Sequence, residues 1–373
     1  MTNTHQRFPA LDVFRGLTIC LMIVVNTSGD SSVTFAPMLH AKWNGFTPTD
    51  LVFPSFLFAV GNALSFVMNK WKGKATAEVL GKILKRTALI FLFGFLMYWF
   101  PFVKSDAGHL EILPISNTRI LGVLQRIALC YCFASLLIYF FKTRTVVVIS
   151  IGLLLLYWGL CFWFGDAFDP LGMTTNAGYK FDVWMMGENH MYHGEGVAFD
   201  PEGWLSTLPA IVNVTAGYLV GLHIQKTNRS YEGLTKLILA GFALICIAYF
   251  WNFIFPINKK LWTSSFVLET VGLDCMILGA VIYIIDKKQN AKWPWFFEVA
   301  GKNPLAIYLF SELLAKTLER IDIGDTDTLS WIYENIFSHA GDYWGSLLFA
   351  VAFMFVCWSL GYWMDKRKIY LRV

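Results

Sequence analysis

Several uninterrupted apolar stretches, each about 20 residues long, constrain this chain more than any other feature, because each is long enough to cross roughly 30 Å of hydrocarbon as an α-helix. Lipid offers backbone N–H and C=O groups no partners, so such stretches must satisfy their hydrogen bonds internally, as helices do. The alternating pattern of barrel strands is not seen. Composition agrees. Apolar residues make up 56% of the 373 positions and charged residues 15%, with a mean hydropathy of +0.52, far from an ordinary soluble domain. The expected fold is all-α: one polytopic transmembrane bundle of about ten helices over residues 1–373. The spans fall near 10–28, 48–69, 84–103, 120–141, 145–164, 206–225, 235–255, 264–286, 298–318 and 344–364, with outward loops near 27–47 and 165–205. The first span lacks a basic leader and a small-residue cleavage site, so it is expected to remain as a signal anchor.

Orientation follows from the basic residues. Lys70, Lys72, Lys74, Lys82, Lys85 and Arg86 share one connection; Lys142 and Arg144, then Lys226, Arg229 and Lys236, then Lys287, Lys288 and Lys292 fall in alternate ones. Lys366, Arg367, Lys368 and Arg372 close the tail, and the opposite loops are poor in such residues. The positive-inside rule therefore places both termini in the cytosol and the loop containing His40 outside. A net charge of +4 needs no nucleic-acid partner, since inward cations are the expected anchors to the lipid bilayer. The seven cysteines lie in or beside apolar spans without a CxxC pair and are expected to act as small hydrophobes.

The outer segments hold most of the polar chemistry. Trp184, Glu188, His190, Tyr192, His193, Glu195, Asp200 and Glu202 in the long outer loop suit an amine-bearing sugar, through ring stacking and carboxylate pairing, or else form a solvated cap on the bundle. No metal is expected, because His190 and His193 lack an HExxH frame. Asp200-Pro201-Glu202 reads as a helix start, with Asp as N-cap and Pro in the first turn. In the span that follows, Gly217 and Gly221 form a small-xxx-small pair suited to helix packing.

Ionisable residues at or inside spans are costly and mark partners or cavities. Asp12 and Arg15 share a helix face in the first span, Asp50 opens the second, Arg119 and Arg126 flank the fourth, and Glu269 and Asp274 lie in the eighth. Asp12 with Arg15 fits either a structural ion pair or the wall of an internal pocket.

The ordered blocks Leu11-Asp12-Val13-Phe14-Arg15-Gly16, Val25-Asn26, Leu39-His40-Ala41-Lys42-Trp43-Asn44-Gly45 and Thr49-Asp50-Leu51 resemble the catalytic signature of the heparan-α-glucosaminide N-acetyltransferases and their bacterial relatives. Arg119 to Ala128 resembles a second motif of that family, and Gly301-Lys302-Asn303-Pro304 a third. The resemblance implies a multi-pass acyltransferase, here of the bacterial inner membrane, that moves acetyl from cytosolic acetyl-CoA to the amine of an extracytoplasmic glucosamine-type acceptor. It places the active-site histidine at His40 and its partner at Asn26, marks Asp12, Trp43, Asp50, Arg119, Arg126 and Asn303 as pocket residues, and allows a homodimer.

Histidine is the side chain suited to take a proton from an alkylammonium near neutral pH, so His40 serves as base or as acetyl carrier. Asn26 supplies an amide donor for the oxyanion. Arg15, Lys82, Lys85, Arg86, Arg367 and Lys368, at the expected cytosolic ends, are candidates for the phosphates of CoA. The competing expectation is an amino-sugar permease in which Asp12, Arg15 and Glu269 line the path. No internal repeat supports it.

Overall fold

The computed structural model describes residues 8–71, 73–106, 109–288 and 292–371. Lys72 and Arg372, two of the cations expected on the inner side, lie outside the described residues, as do the side chains of Lys287 and Lys288. Thirteen α-helices appear among the described residues: α1 (Pro9–Asn26), α2 (Pro48–Trp71), α3 (Thr76–Trp99), α4 (Val123–Phe140), α5 (Thr143–Phe164), α6 (Ala177–Met186), α7 (Thr207–Lys226), α8 (Tyr231–Asn252), α9 (Ser264–Ile282), α10 (Pro294–Lys302), α11 (Pro304–Leu318), α12 (Thr328–Ile332) and α13 (Asp342–Lys366). Sheet is confined to two short antiparallel hairpins, Val103–Asp106 with His109–Ile112 and Asp322–Ile323 with Thr326–Asp327. Eight helices are long and apolar enough to cross a membrane: α1, α2, α4, α5, α7, α8, α13 and the α9 segment continued to Asp286. The chain is an integral, multi-pass membrane protein.

Two of the ten expected spans differ in form. α3 has the length, but Lys82, Lys85 and Arg86 lie inside it. The stretch 298–318 is not one helix, because the chain turns at Asn303 (φ −132°, ψ 47°) between α10 and α11. Pro304 causes the break, since its ring bars the preceding residue from helical geometry. α7 also begins later than the Asp200-Pro201-Glu202 pattern suggests, with Ser206 as its N-cap.

The chain forms two compact units. The first comprises Met1–His40, Thr47–Phe56 and Met276–Arg372. Within it α1 and α10 touch backbone to backbone: a Cβ on Gly16 would collide with the Phe297 carbonyl, and one on Gly301 with the Asp12 carbonyl. α13 packs beside them, where Phe296 stacks on Trp358 with centroids 4.7 Å apart and the Trp358 indole donates to the Phe296 carbonyl at 2.9 Å.

The second unit comprises Ala41–Phe46 and Leu57–Cys275. Gly217 of α7 rests against the Phe58 carbonyl of α2, and Gly221 against Ser65, as the small-residue pattern predicts. Trp262, fully buried, donates to Asn213 at 3.1 Å, which donates in turn to Thr270 at 3.1 Å. α5 and α8 face outward along most of their length, with 28% of each span buried against 72% for α7.

Candidate active site

Local rules place His40 in the first unit. Asp30 accepts from the Ser32 backbone at 2.7 Å and starts a 3-10 turn at Ser31–Val33. Ser346 of α13 binds both the N–H and the carbonyl of Asp30, tying this strip down. A second turn, Ala36–Met38, leads into His40. Thr47-Pro48-Thr49-Asp50 then starts α2 in the manner of a capping box: Pro occupies the first helical position, and the Asp50 carboxylate reaches back to accept the Thr47 N–H at 2.9 Å. Two hydroxyls bind the incoming strip to this helix start, Thr49 to the Pro37 carbonyl at 3.1 Å and Thr47 to the Leu39 carbonyl at 2.7 Å.

His40 is thereby set over Asp50, with Nδ1 2.6 Å from Oδ1. The carboxylate side chain is 1% exposed and the imidazole 38%. A buried carboxylate against Nδ1 holds the proton there and leaves Nε2 as the basic nitrogen. Such an arrangement can accept a proton or attack an acyl carbon.

The remaining candidates of this unit have varied surroundings. Asn26 is the last residue of α1, with its side chain exposed. Asp12 and Arg15 form the expected pair at 3.5 Å. Asn303 is buried at the helix break, donating to the Ile369 carbonyl at 3.0 Å and accepting from the Leu371 N–H at 3.0 Å, so it clasps the segment after α13. Lys368, in that segment, is exposed with φ 56°.

Trp43, three residues after His40, belongs to the second unit. Its indole donates to the Leu171 carbonyl at 3.1 Å and its ring meets Phe199 edge-on at 5.6 Å. Arg119 forms the centre of a buried ionic cluster, at 2.7 Å from both Asp200 and Glu202 and between the rings of Tyr98 and Tyr192. Burial works against its charge, yet Tyr98 and the two carboxylates hold the guanidinium well above the ordinary arginine range. Burial raises Asp200 above the usual carboxylate range. Glu202 stays below that range despite its burial, because Arg119, Lys259 and Arg126 oppose the effect.

Arg126, wholly buried in the first turn of α4, donates to the Gly203 carbonyl at 2.9 Å and lies 5.0 Å over Trp262. On α3, Lys82 is paired with Glu78 at 2.6 Å, Lys85 is exposed, and Arg86 lies over the Tyr131 ring. The outer loop is internally engaged: His190 donates to the Thr118 carbonyl at 2.7 Å, Tyr179 donates to Glu188 at 3.1 Å, and Glu195 pairs with Lys260.

Two features escaped the sequence reading. The pairing of His40 with Asp50 was signalled only indirectly, by the capping pattern from Thr47 to Asp50. Asp182, buried on α6, accepts the Trp204 N–H at 2.8 Å; burial, with Asp200 nearby, pushes its carboxyl up to about 7.

Residues 7–177, which include the His40–Asp50 pair, match the family described as heparan-alpha-glucosaminide N-acetyltransferase, catalytic. The Mus musculus protein named heparan-alpha-glucosaminide N-acetyltransferase is 28% identical over 374 residues, covering 84% of this chain and 54% of its own length. The Homo sapiens protein of that name is 28% identical over 372 residues, covering 82% and 53%. The chain thus spans about half the length of these relatives. Residues 7–177 are thus similar to the catalytic part of the heparan-alpha-glucosaminide N-acetyltransferases.

Proposed function

We propose that the chain transfers an acetyl group from cytosolic acetyl-CoA to the amine of an extracytoplasmic glucosamine-type sugar. The observation that carries this reading is the 2.6 Å contact between His40 and the buried Asp50, inside the stretch that matches a catalytic family. The sugar enters as an ammonium and must lose its proton before its nitrogen can attack the thioester carbon. His40 Nε2 takes that proton, or takes the acetyl group first and passes it on. In both routes Asp50 fixes the ring and stabilises the imidazolium that forms. The new C–N bond replaces the C–S bond, CoA leaves as a thiol, and one proton is released overall. Asn26 donates its amide to the oxyanion of the tetrahedral intermediate.

Both termini lie in the cytosol and His40 outside, an orientation that the basic connections support, and the membrane is the bacterial inner membrane that the family resemblance implies. Lys82, Lys85 and Arg86 of the second unit, and separately Arg15 and Lys368 of the first, are the cations proposed for the CoA phosphates. Asp12 and Asn303 in the first unit, and Trp43, Arg119 and Arg126 in the second, are the pocket residues proposed for each unit.

The test is reconstitution in proteoliposomes with labelled acetyl-CoA and glucosamine on opposite faces. N-acetylated sugar is the expected product, and His40→Ala abolishes it while CoA still binds. Passage of unmodified sugar, with no acetylated product across a range of amino sugars, would establish the permease reading instead. Acetylated protein formed before acceptor is added identifies His40 as the carrier.

A further inference from the structure

Arg86, on α3, is a cation half-buried against α4. It sits about ten residues, roughly 15 Å, along α3 from its start at Thr76, and among the described residues it pairs with no carboxylate. Arg15 is paired with Asp12 and Arg119 with Asp200 and Glu202, while Arg126, whose own Nε is also buried without a partner, is held by the Gly203 carbonyl and the Ser206 hydroxyl. The guanidinium carbon of Arg86 lies 4.7 Å from the centre of the Tyr131 ring on α4, which occupies its face. Its edge is not satisfied, since Nε is buried with no hydrogen-bond partner.

One turn along α4, Ser135 is completely buried, and its hydroxyl bears on that of Tyr131 with no other hydrogen-bond partner. Arg86 and Ser135 both act on the Tyr131 hydroxyl. An orphaned guanidinium N–H and an uncompensated charge are each costly, and their coincidence at one place between two packed helices calls for an anion.

We propose that Arg86, Tyr131 and Ser135 form a phosphate-binding site between α3 and α4. The donor set fits a phosphate: a guanidinium edge for two oxygens and two hydroxyl donors for the others, where a carboxylate would be saturated by the guanidinium alone. Lys85, the residue before Arg86, and Lys82, about one turn earlier on α3 and paired with Glu78, lie on the same stretch of helix. The phosphate comes from CoA or from the headgroup of an anionic lipid, which share this chemistry. With CoA as the source, the site rests on the acetyl-transfer reading; with a lipid, it stands without it.

The experiment uses the full-length protein in nanodiscs of phosphatidylcholine, with or without phosphatidylglycerol. Binding of CoA, and of pantetheine as its phosphate-free counterpart, is measured for wild type, Arg86→Gln, Arg86→Lys and Ser135→Ala, and retained phosphatidylglycerol is counted by native mass spectrometry. Arg86→Gln is expected to lose about tenfold or more in affinity for the phosphate ligand, and Arg86→Lys to recover part of it. Loss for CoA but not pantetheine identifies the donor; loss of retained phosphatidylglycerol with CoA binding intact identifies the lipid and leaves the acetyl-transfer reading to the His40 test. In pure phosphatidylcholine without CoA, Arg86→Gln should be at least as heat-stable as wild type; lower stability would make Arg86 a structural cation and overturn the site. Ser135→Ala removes one small hydroxyl from between α3 and α4 and is expected to keep the fold, so unchanged CoA and phosphatidylglycerol binding in this variant and in Arg86→Gln overturns the proposal.

Discussion

Replacing Asp50 by Asn keeps the shape of the site and changes one proton. The Asn carbonyl oxygen can still accept the Thr47 N–H, now 2.9 Å from the carboxylate, so the start of α2 is retained. The amide nitrogen then faces His40 Nδ1 across the present 2.6 Å contact, where it can only donate. The imidazole must turn to the other tautomer, with its proton on Nε2, and the basic nitrogen is lost. A hydrogen bond to a charged group contributes about 1.5–3 kcal/mol, and Asp50 is 0% exposed, so water does not replace it. Converted to rate, that is about tenfold to 150-fold, and the tautomer change pushes the loss toward the upper end. The assay is the rate of N-acetylglucosamine formation in proteoliposomes at saturating acetyl-CoA and glucosamine, with CoA affinity measured in parallel. kcat should fall with CoA affinity unchanged. An Asp50→Asn protein that turns over within twofold of wild type would refute the role of the pair.

Three further outcomes follow from the packing. Arg119→Gln leaves Asp200 and Glu202 buried without their cation and should cost about 3–5 kcal/mol, read as a lower thermal midpoint in detergent. Asp182 has a folded-state pKa raised from 3.8 to about 7, so the native state holds a proton that the unfolded chain has lost. Stability from this group therefore falls as pH rises from about 4 to about 7 and stays low above that, by at most about 4 kcal/mol; Asp182→Asn should flatten this window in melting curves taken across pH. Gly301→Ala drives a methyl into the Asp12 carbonyl and should destabilise by about 1–3 kcal/mol, whereas Gly159→Ala, which meets nothing within 4 Å, should be neutral in the same melt.

The spans were legible in the sequence because length and hydropathy are local quantities, and the bilayer leaves helices as their form. The break at Asn303-Pro304 was hidden by the averaging that finds spans, although the dipeptide itself signals a turn. His40 and Asp50 were each singled out, yet their contact depends on how Thr47 and Thr49 fold the strip from Pro37 to Leu39 back onto α2. Asp200 and Glu202 were read as the start of a helix, because N-capping is a local rule. Their actual partner, Arg119, lies 81 and 83 positions away, and no single-sequence rule spans that separation. Orphaned atoms such as Arg86 Nε are properties of packing alone.

The reciprocal glycine contact between α1 and α10 has a mechanical consequence. Two helices separated by side chains can slide by rotamer changes, but with Gly16 and Gly301 set against carbonyls there is no intervening side chain to rearrange. A one-turn slip would bring bulkier residues into the same gap, so α1 and α10 behave as a single rigid stave. Bending within this unit is then concentrated at Asn303, where α10 ends and α11 takes a new direction, and the clasp of Asn303 on Ile369 and Leu371 carries any such flexure to the segment after α13.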